Sequence, residues 1–262
     1  EPTNEEIDML ANTIISYGAK GFIYFWFQSI GGNQTIGGAG CPYISKGIVD
    51  MNNNLIRKNL YGQAKDKWKV IRDISQRVKK WEPYIMNFSH DKIKSCIYDK
   101  ESDRGIILDG YFNNVVTFKP GSNTPPCDIS DAHSGTTPEC PDERYVQVAT
   151  FEKSGETNIK YFMIVNRRCS PVDSVHADGK RFITVNFDSN AWAFSGFNNW
   201  KIIDLENDAT VLTFDKRTTS NLDLGWFEPG QGKLYRVVPV MIWGGALESN
   251  EEMSNVTFDL DT

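Results

Sequence analysis

Gly18-Ala-Lys-Gly-Phe-Ile-Tyr-Phe-Trp-Phe-Gln-Ser29 contains, from Gly21 to Phe27, a near-unbroken apolar and aromatic run with no polar alternation. Such a run reads as a strand buried on both faces, the kind found in a parallel sheet covered by helices. Amphipathic helical patterns lie before it and, after a long loop, behind it. Helix, buried strand, loop and helix make a unit of an α/β barrel or a doubly wound sheet, and such a unit is not a domain alone.

Outward from this run, Pro2-Thr3-Asn4-Glu5-Glu6 reads as a helix start. Thr3 is placed to cap the backbone while Glu6 reaches back, the reciprocal arrangement of a capping box. Ile7, Leu10, Ala11, Ile14 and Ile15 mark one helical face, and Gly18 stops the helix. On the other side, Ile30 to Tyr61 reads as loop, with glycines at 31, 32, 37, 38 and 40 and the turn signal Met51-Asn-Asn-Asn54. It holds neither a GxxxxGK[ST] nor a placed GxGxxG motif, so it gives no phosphate cradle. A long loop after a buried strand suits the wall of a site. Lys65 to Trp81 is the second helix, with Trp68, Ile71, Ile74, Val78 and Trp81 on one face and Pro83 as its expected end.

From about Asp91 the pattern changes. Short β-rich runs recur between turns as far as Lys233–Val240, which predicts an antiparallel β-sandwich over residues 91–240. The Pro-, Ser-, Thr- and Asp-rich insertion Gly121–Glu143 interrupts it. After Pro239 the chain leaves the sandwich, and residues 241–262 read as a linker to something further.

Composition sets limits on function. The 262 residues carry 28 Lys and Arg against 34 Asp and Glu, a net charge of −6. The one basic cluster, Arg77-Val-Lys-Lys80, sits at a helix end where it suits the helix dipole. Nucleic-acid binding therefore has no electrostatic support. No apolar stretch reaches the ~20 residues that span a bilayer, so no membrane span is expected.

The cysteines at 41, 96, 127, 140 and 169 fit no CxxC spacing, and their odd number leaves at least one thiol free. Cys127 and Cys140 flank a short loop and are suited to a local disulfide, although two buried free thiols fit the same spacing. No metal or cofactor is expected. Asp128, Asp131 and Asp142 are the sole candidates for a structural calcium, and they lack EF-hand spacing.

Several segments resemble a known family. Ile14-Ile-Ser-Tyr-Gly-Ala-Lys-Gly-Phe-Ile-Tyr-Phe25 resembles the helix-to-last-strand passage of clan A (β/α)8-barrel glycoside hydrolases. Asn59-Leu-Tyr-Gly-Gln-Ala-Lys-Asp-Lys-Trp68 is similar to the entry of their last helix, and the segment from Trp68 to Trp81-Glu-Pro83 to that helix and its exit. Glu228-Pro-Gly-Gln-Gly-Lys-Leu-Tyr-Arg-Val-Val-Pro239 resembles the closing strand of the β-sandwich that such barrels carry. Trp243-Gly-Gly-Ala-Leu-Glu248 is similar to the lead-in of repetitive domains downstream of secreted bacterial enzymes.

The resemblance implies an α/β plus all-β architecture: residues 1–90 as the last helix–strand–helix of a barrel, followed by an accessory sandwich. It implies a secreted or cell-surface protein acting on polysaccharide or glycoconjugate. In this family the acid/base and nucleophile come from the fourth and seventh strands, which would lie upstream of Glu1. No catalytic residue is therefore expected here, and the chain alone is expected to be inactive. What remains is the eighth-strand contribution, with Phe25, Trp26, Phe27 and Gln28 as candidate substrate-binding residues. Carbohydrate and an upstream barrel segment are the implied partners.

A second reading comes from the residues themselves: a carbohydrate-binding or adhesive module without activity, marked by exposed aromatics on the sandwich. The cluster Trp192, Phe194, Phe197 and Trp200 serves such a platform if exposed and the core if buried.

Overall fold

The computed structural model describes residues 3–22, 67–98, 112–118, 146–156, 158–168, 179–188, 197–243 and 246–249. Its helices are α1 (Asn4–Ser16) and α2 (Lys67–Ile85), followed by a 3-10 turn at His90–Lys92. The strands are β1 (Lys94–Tyr98), β2 (Phe112–Phe118), β3 (Val146–Phe151), β4 (Lys160–Asn166) and β5 (Arg181–Phe187). They continue as β6 (Asn199–Asp204), β7 (Ala209–Asp215), β8 (Leu222–Phe227), β9 (Gly232–Trp243) and β10 (Ala246–Ser249).

One sheet has seven strands in the order β1-β3-β4-β9-β6-β7, with β10 pairing the far end of β9; β2, β5 and β8 form a second sheet of three. Every pairing among the described residues is antiparallel.

The larger sheet is covered on both sides. Val148, Phe162, Ile164, Trp200, Ile202, Tyr235 and Val237 face the smaller sheet and share a core with its Phe112, Val115, Ile183, Val185, Phe187, Leu224 and Phe227. Phe162 meets Phe112 edge-on at 5.2 Å and Tyr235 in a stacked pair at 4.9 Å. The alternate residues, among them Ala149, Phe151, Tyr161, Met163, Val165, Ile203 and Leu234, pack with Ile15 of α1 and Trp81 and Ile85 of α2. Period-2 alternation thus sends successive residues of β4 into two different apolar layers. Trp200 is fully buried with Phe197 edge-on at 6.3 Å, so these two belong to the core; Trp192 and Phe194 lie outside the described residues.

This arrangement overturns the expected fold class. The chain is essentially β-rich, with two helices among the described residues, and it is not a portion of a (β/α)8 barrel. The two helices do not flank a parallel strand. They lie on the outer face of an antiparallel sheet, because that face offers apolar side chains at every second position. Gly21 and Phe22 have no regular structure, and residues 23–27 of the predicted strand lie outside the described residues.

Two local readings also change. The capping box forms as the residues require, with Thr3 N donating to Glu6 Oε2 at 2.6 Å and Glu6 N to Thr3 Oγ1 at 3.2 Å. The buried stripe of α1, however, is rotated: Leu10 is 50% and Ile14 45% exposed, while Asn12 and Ser16 are buried beside Ala11 and Ile15. Asn12 donates to Gly230 O at 2.9 Å, and Ser16 Oγ joins Ser95 Oγ (3.1 Å), which accepts from Gln147 Nε2 at 2.6 Å. These polar contacts tie α1 to the sheet and select the face. In α2, Pro83 does not end the helix but sits inside its last turn. One missing N–H is tolerated there because Ile85, two residues on, is buried against the sheet.

Candidate functional site

The sequence-predicted residues Phe25, Trp26, Phe27 and Gln28 lie outside the described residues, as do Cys127, Cys140, Asp128, Asp131 and Asp142. Among the described residues no group of three or more His, Cys, Asp or Glu side chains comes together as a metal site, and no helix is long and apolar enough to cross a membrane.

Two other places concentrate functional chemistry. The first is the seam between the helices and the β6–β7 turn. Arg77 of α2 pairs with Asp8 of α1 through Nη2 and Oδ1 and lies over the Trp81 ring at 5.5 Å. Asn12 adds a second bond to Asp8 Oδ1 at 3.1 Å. Burial raises the Asp8 carboxyl above its ordinary value despite Arg77, and burial likewise raises Glu206. Asp8 is engaged by two partners on the helices themselves, so the seam is a fastening rather than a reaction centre.

The seam has a pH consequence. An acid whose folded pKa is raised binds its proton more tightly when folded. The stability it contributes is complete below its ordinary pKa and is lost as pH rises through the folded value. Asp215 behaves oppositely: hydrogen bonds from Arg217 lower it from 3.8 to about 2, so its contribution is present above 3.8 and lost as pH falls towards 2. The urea midpoint is therefore expected to rise on acidification from neutral to about pH 4. Glu206→Gln should flatten that rise. A steady fall over the same range, unaltered in Glu206→Gln, would exclude this account.

The second place is the outer face of the smaller sheet. In β8, Leu222 and Leu224 point inward and Asp223 outward. Strict alternation from there would bury Trp226 and expose Phe227. The opposite is found, because the register with β5 shifts between Ile183 and Thr184, pairing Ile183 with Gly225 and Thr184 with Asp223. Leu224 is the extra residue of a bulge, and Gly225 takes the positive φ (87°) that the bulge needs.

The bulge puts Trp226 outside, 40% exposed, and Phe227 in the core. Phe182, paired opposite Trp226, holds it edge-on at 5.4 Å and 75°. Lys180 Nζ lies over the indole at 5.7 Å and pairs with Glu228 Oε1 at 2.6 Å. The next outward pair is Thr184 and Asp223, joined by a hydrogen bond from Thr184 Oγ1 to Asp223 Oδ1 at 2.9 Å. Beyond them Asn186 Oδ1 accepts the N–H of Asn221. The surface therefore runs from an aromatic plate to the exposed Asp223 carboxylate and the half-buried Asn186 amide, with the buried Thr184 hydroxyl beneath holding Asp223.

Sequence reading missed this site because Trp226 follows strand parity only if the bulge is known. The available signal was Gly225 inside a strand pattern, which marks a bulge. Compared with known protein families, curated proteins and solved structures, the chain matches none.

Proposed function

We propose that this chain supplies a non-catalytic, saccharide-facing β-module to an extracellular or cell-surface, glycoside-hydrolase-like protein acting on polysaccharide or glycoconjugate. The observation that carries this reading is Trp226, turned outward by a bulge and continued by the exposed Asp223, which the buried Thr184 holds, and by the half-buried Asn186. Sugars present one apolar C–H face and a rim of hydroxyls. An indole with polar acceptors beside it matches both, and a plate braced by Phe182 loses little freedom on binding. The likeness of Glu228–Pro239 to the closing strand of accessory domains in carbohydrate-active barrels supports the choice of parent protein.

Affinity electrophoresis through gels containing soluble polysaccharides tests the reading. At least one polymer should retard the chain, and Trp226→Ala should weaken that retardation about tenfold or more. Trp68→Ala serves as control, since Trp68 is equally exposed, at 41%, but sits on α2. Equal loss in both variants, or no retardation by any polymer, would refute the saccharide reading.

A further inference from the structure

Resting on that reading, the charges around Trp226 lead us to infer that its ligand is a neutral saccharide, one that offers hydroxyl groups and carries neither uronate nor sulfate. Two ammonium groups lie near the indole, and both are engaged by the protein. Lys180 Nζ is held by Glu228 Oε1 at 2.6 Å. Lys233 Nζ donates to the Trp226 carbonyl at 3.0 Å, lies over the Phe227 ring at 4.5 Å, and is within electrostatic reach of the carboxylates of Asp204, Glu206 and Glu228. An anionic sugar would meet the Glu228 carboxylate beside the first, and the second is already satisfied by the Trp226 carbonyl.

The polar group along the stacking direction is Asp223. It is exposed and follows Trp226 as the next outward-facing residue of β8. Its Oδ1 accepts from Thr184, and among the described residues no donor reaches its Oδ2. A carboxylate accepts hydrogen bonds and donates none. It therefore recognises hydroxyl donors and repels a second carboxylate or a sulfate. The chain's net charge of −6 acts in the same sense at longer range. Lys180 over the indole does not reverse this, because its charge is balanced by Glu228.

The test compares neutral polymers (a β-glucan, a xylan, a mannan) with acidic ones (polygalacturonate, alginate, dextran sulfate) at low and moderate salt, using the whole chain. The neutral set should contain a ligand bound at least about fivefold more tightly than any acidic polymer. Asp223→Asn keeps an acceptor for Thr184 and removes the charge, so it should narrow that gap towards unity at low salt. Glu228→Gln, which frees Lys180, should narrow it further. Acidic polymers bound as well as or better than neutral ones, with dependence on Trp226, would overturn the neutral-ligand inference while leaving the saccharide reading standing. A gap that Asp223→Asn leaves unchanged would overturn the role of this carboxylate. Failure of every polymer to bind removes the saccharide reading and this inference with it.

Discussion

Tyr235→Asp is expected to remove several kcal/mol of folding stability, whereas Tyr235→Phe should leave stability unchanged or raise it. Tyr235 is fully buried on β9, which pairs with β4 on one side and β6 on the other. Its ring stacks on Phe162 at 4.9 Å, in the layer between the two sheets. An aspartate there would lose that packing and place a carboxylate among apolar side chains. It would also sit opposite Asp204, its cross-strand partner, adding like-charge repulsion.

Leaving an unpaired charge in such a place costs on the order of 3–5 kcal/mol, against a total stability of about 5–15 kcal/mol. The phenylalanine variant separates charge from packing. The Tyr235 hydroxyl is buried with no hydrogen-bond partner among the described residues, so removing it also removes a desolvation penalty. Denaturant titrations of the three proteins decide the matter. An aspartate variant within about 1 kcal/mol of the parent would take β9 out of the core.

Helix α1 shows what was legible in the sequence and what was not. The capping box at Thr3 was readable because its partners lie three residues apart and need no tertiary information. The face that α1 buries was not readable from apolar period alone. The sheet selects Asn12 through Gly230 and Ser16 through Ser95, residues remote in sequence, and leaves Leu10 and Ile14 largely outside.

The larger error concerns continuous apolar runs. Tyr161-Phe-Met-Ile-Val165 is as unbroken as the run from Phe22 to Phe27, yet it forms an antiparallel strand. A continuous run reports that both faces are covered; it does not report strand direction. Helices on one side and a second sheet on the other cover β4 as fully as the helices of a barrel would. Direction is set by the partners, and those lie far along the chain.

The candidate site was hidden for a related reason. Parity reading places Trp226 in the core, and only the bulge at Gly225 reverses it. A glycine within an otherwise regular strand is a weak signal in isolation. Here it decides whether the largest side chain of β8 lies in the core or on the surface.

Gly230→Ala should be among the most damaging single-methyl additions available to the fold, and it should act by undocking α1. Glu228-Pro-Gly-Gln231 closes with Gln231 N donating to Glu228 O at 3.0 Å, and Gly230 takes φ of 76°, as the third residue of a type II turn requires. The turn lies against the first turns of α1. A Cβ on Gly230 would overlap Glu5 O and come within 3.1 Å of Glu5 C and 3.2 Å of Met9 N, which are backbone atoms that no rotamer change can move. The Gly230 carbonyl is also the acceptor for Asn12, so a shift of the turn breaks that bond.

Two costs therefore add: about 1–2 kcal/mol for a side chain in the left-handed region, and about 1–3 kcal/mol for the forced contact. Gly155→Ala isolates the first, because Gly155 has φ of 85° with open space around its missing Cβ. The expected order is a modest loss for Gly155→Ala and a loss about twice as large or more for Gly230→Ala. Accelerated amide exchange should appear across α1 in Gly230→Ala alone, while β4 and β9 stay protected. Equal losses in the two variants, with α1 exchange unchanged in both, would mean that the helix is not seated on this turn and that its polar face was chosen by other contacts.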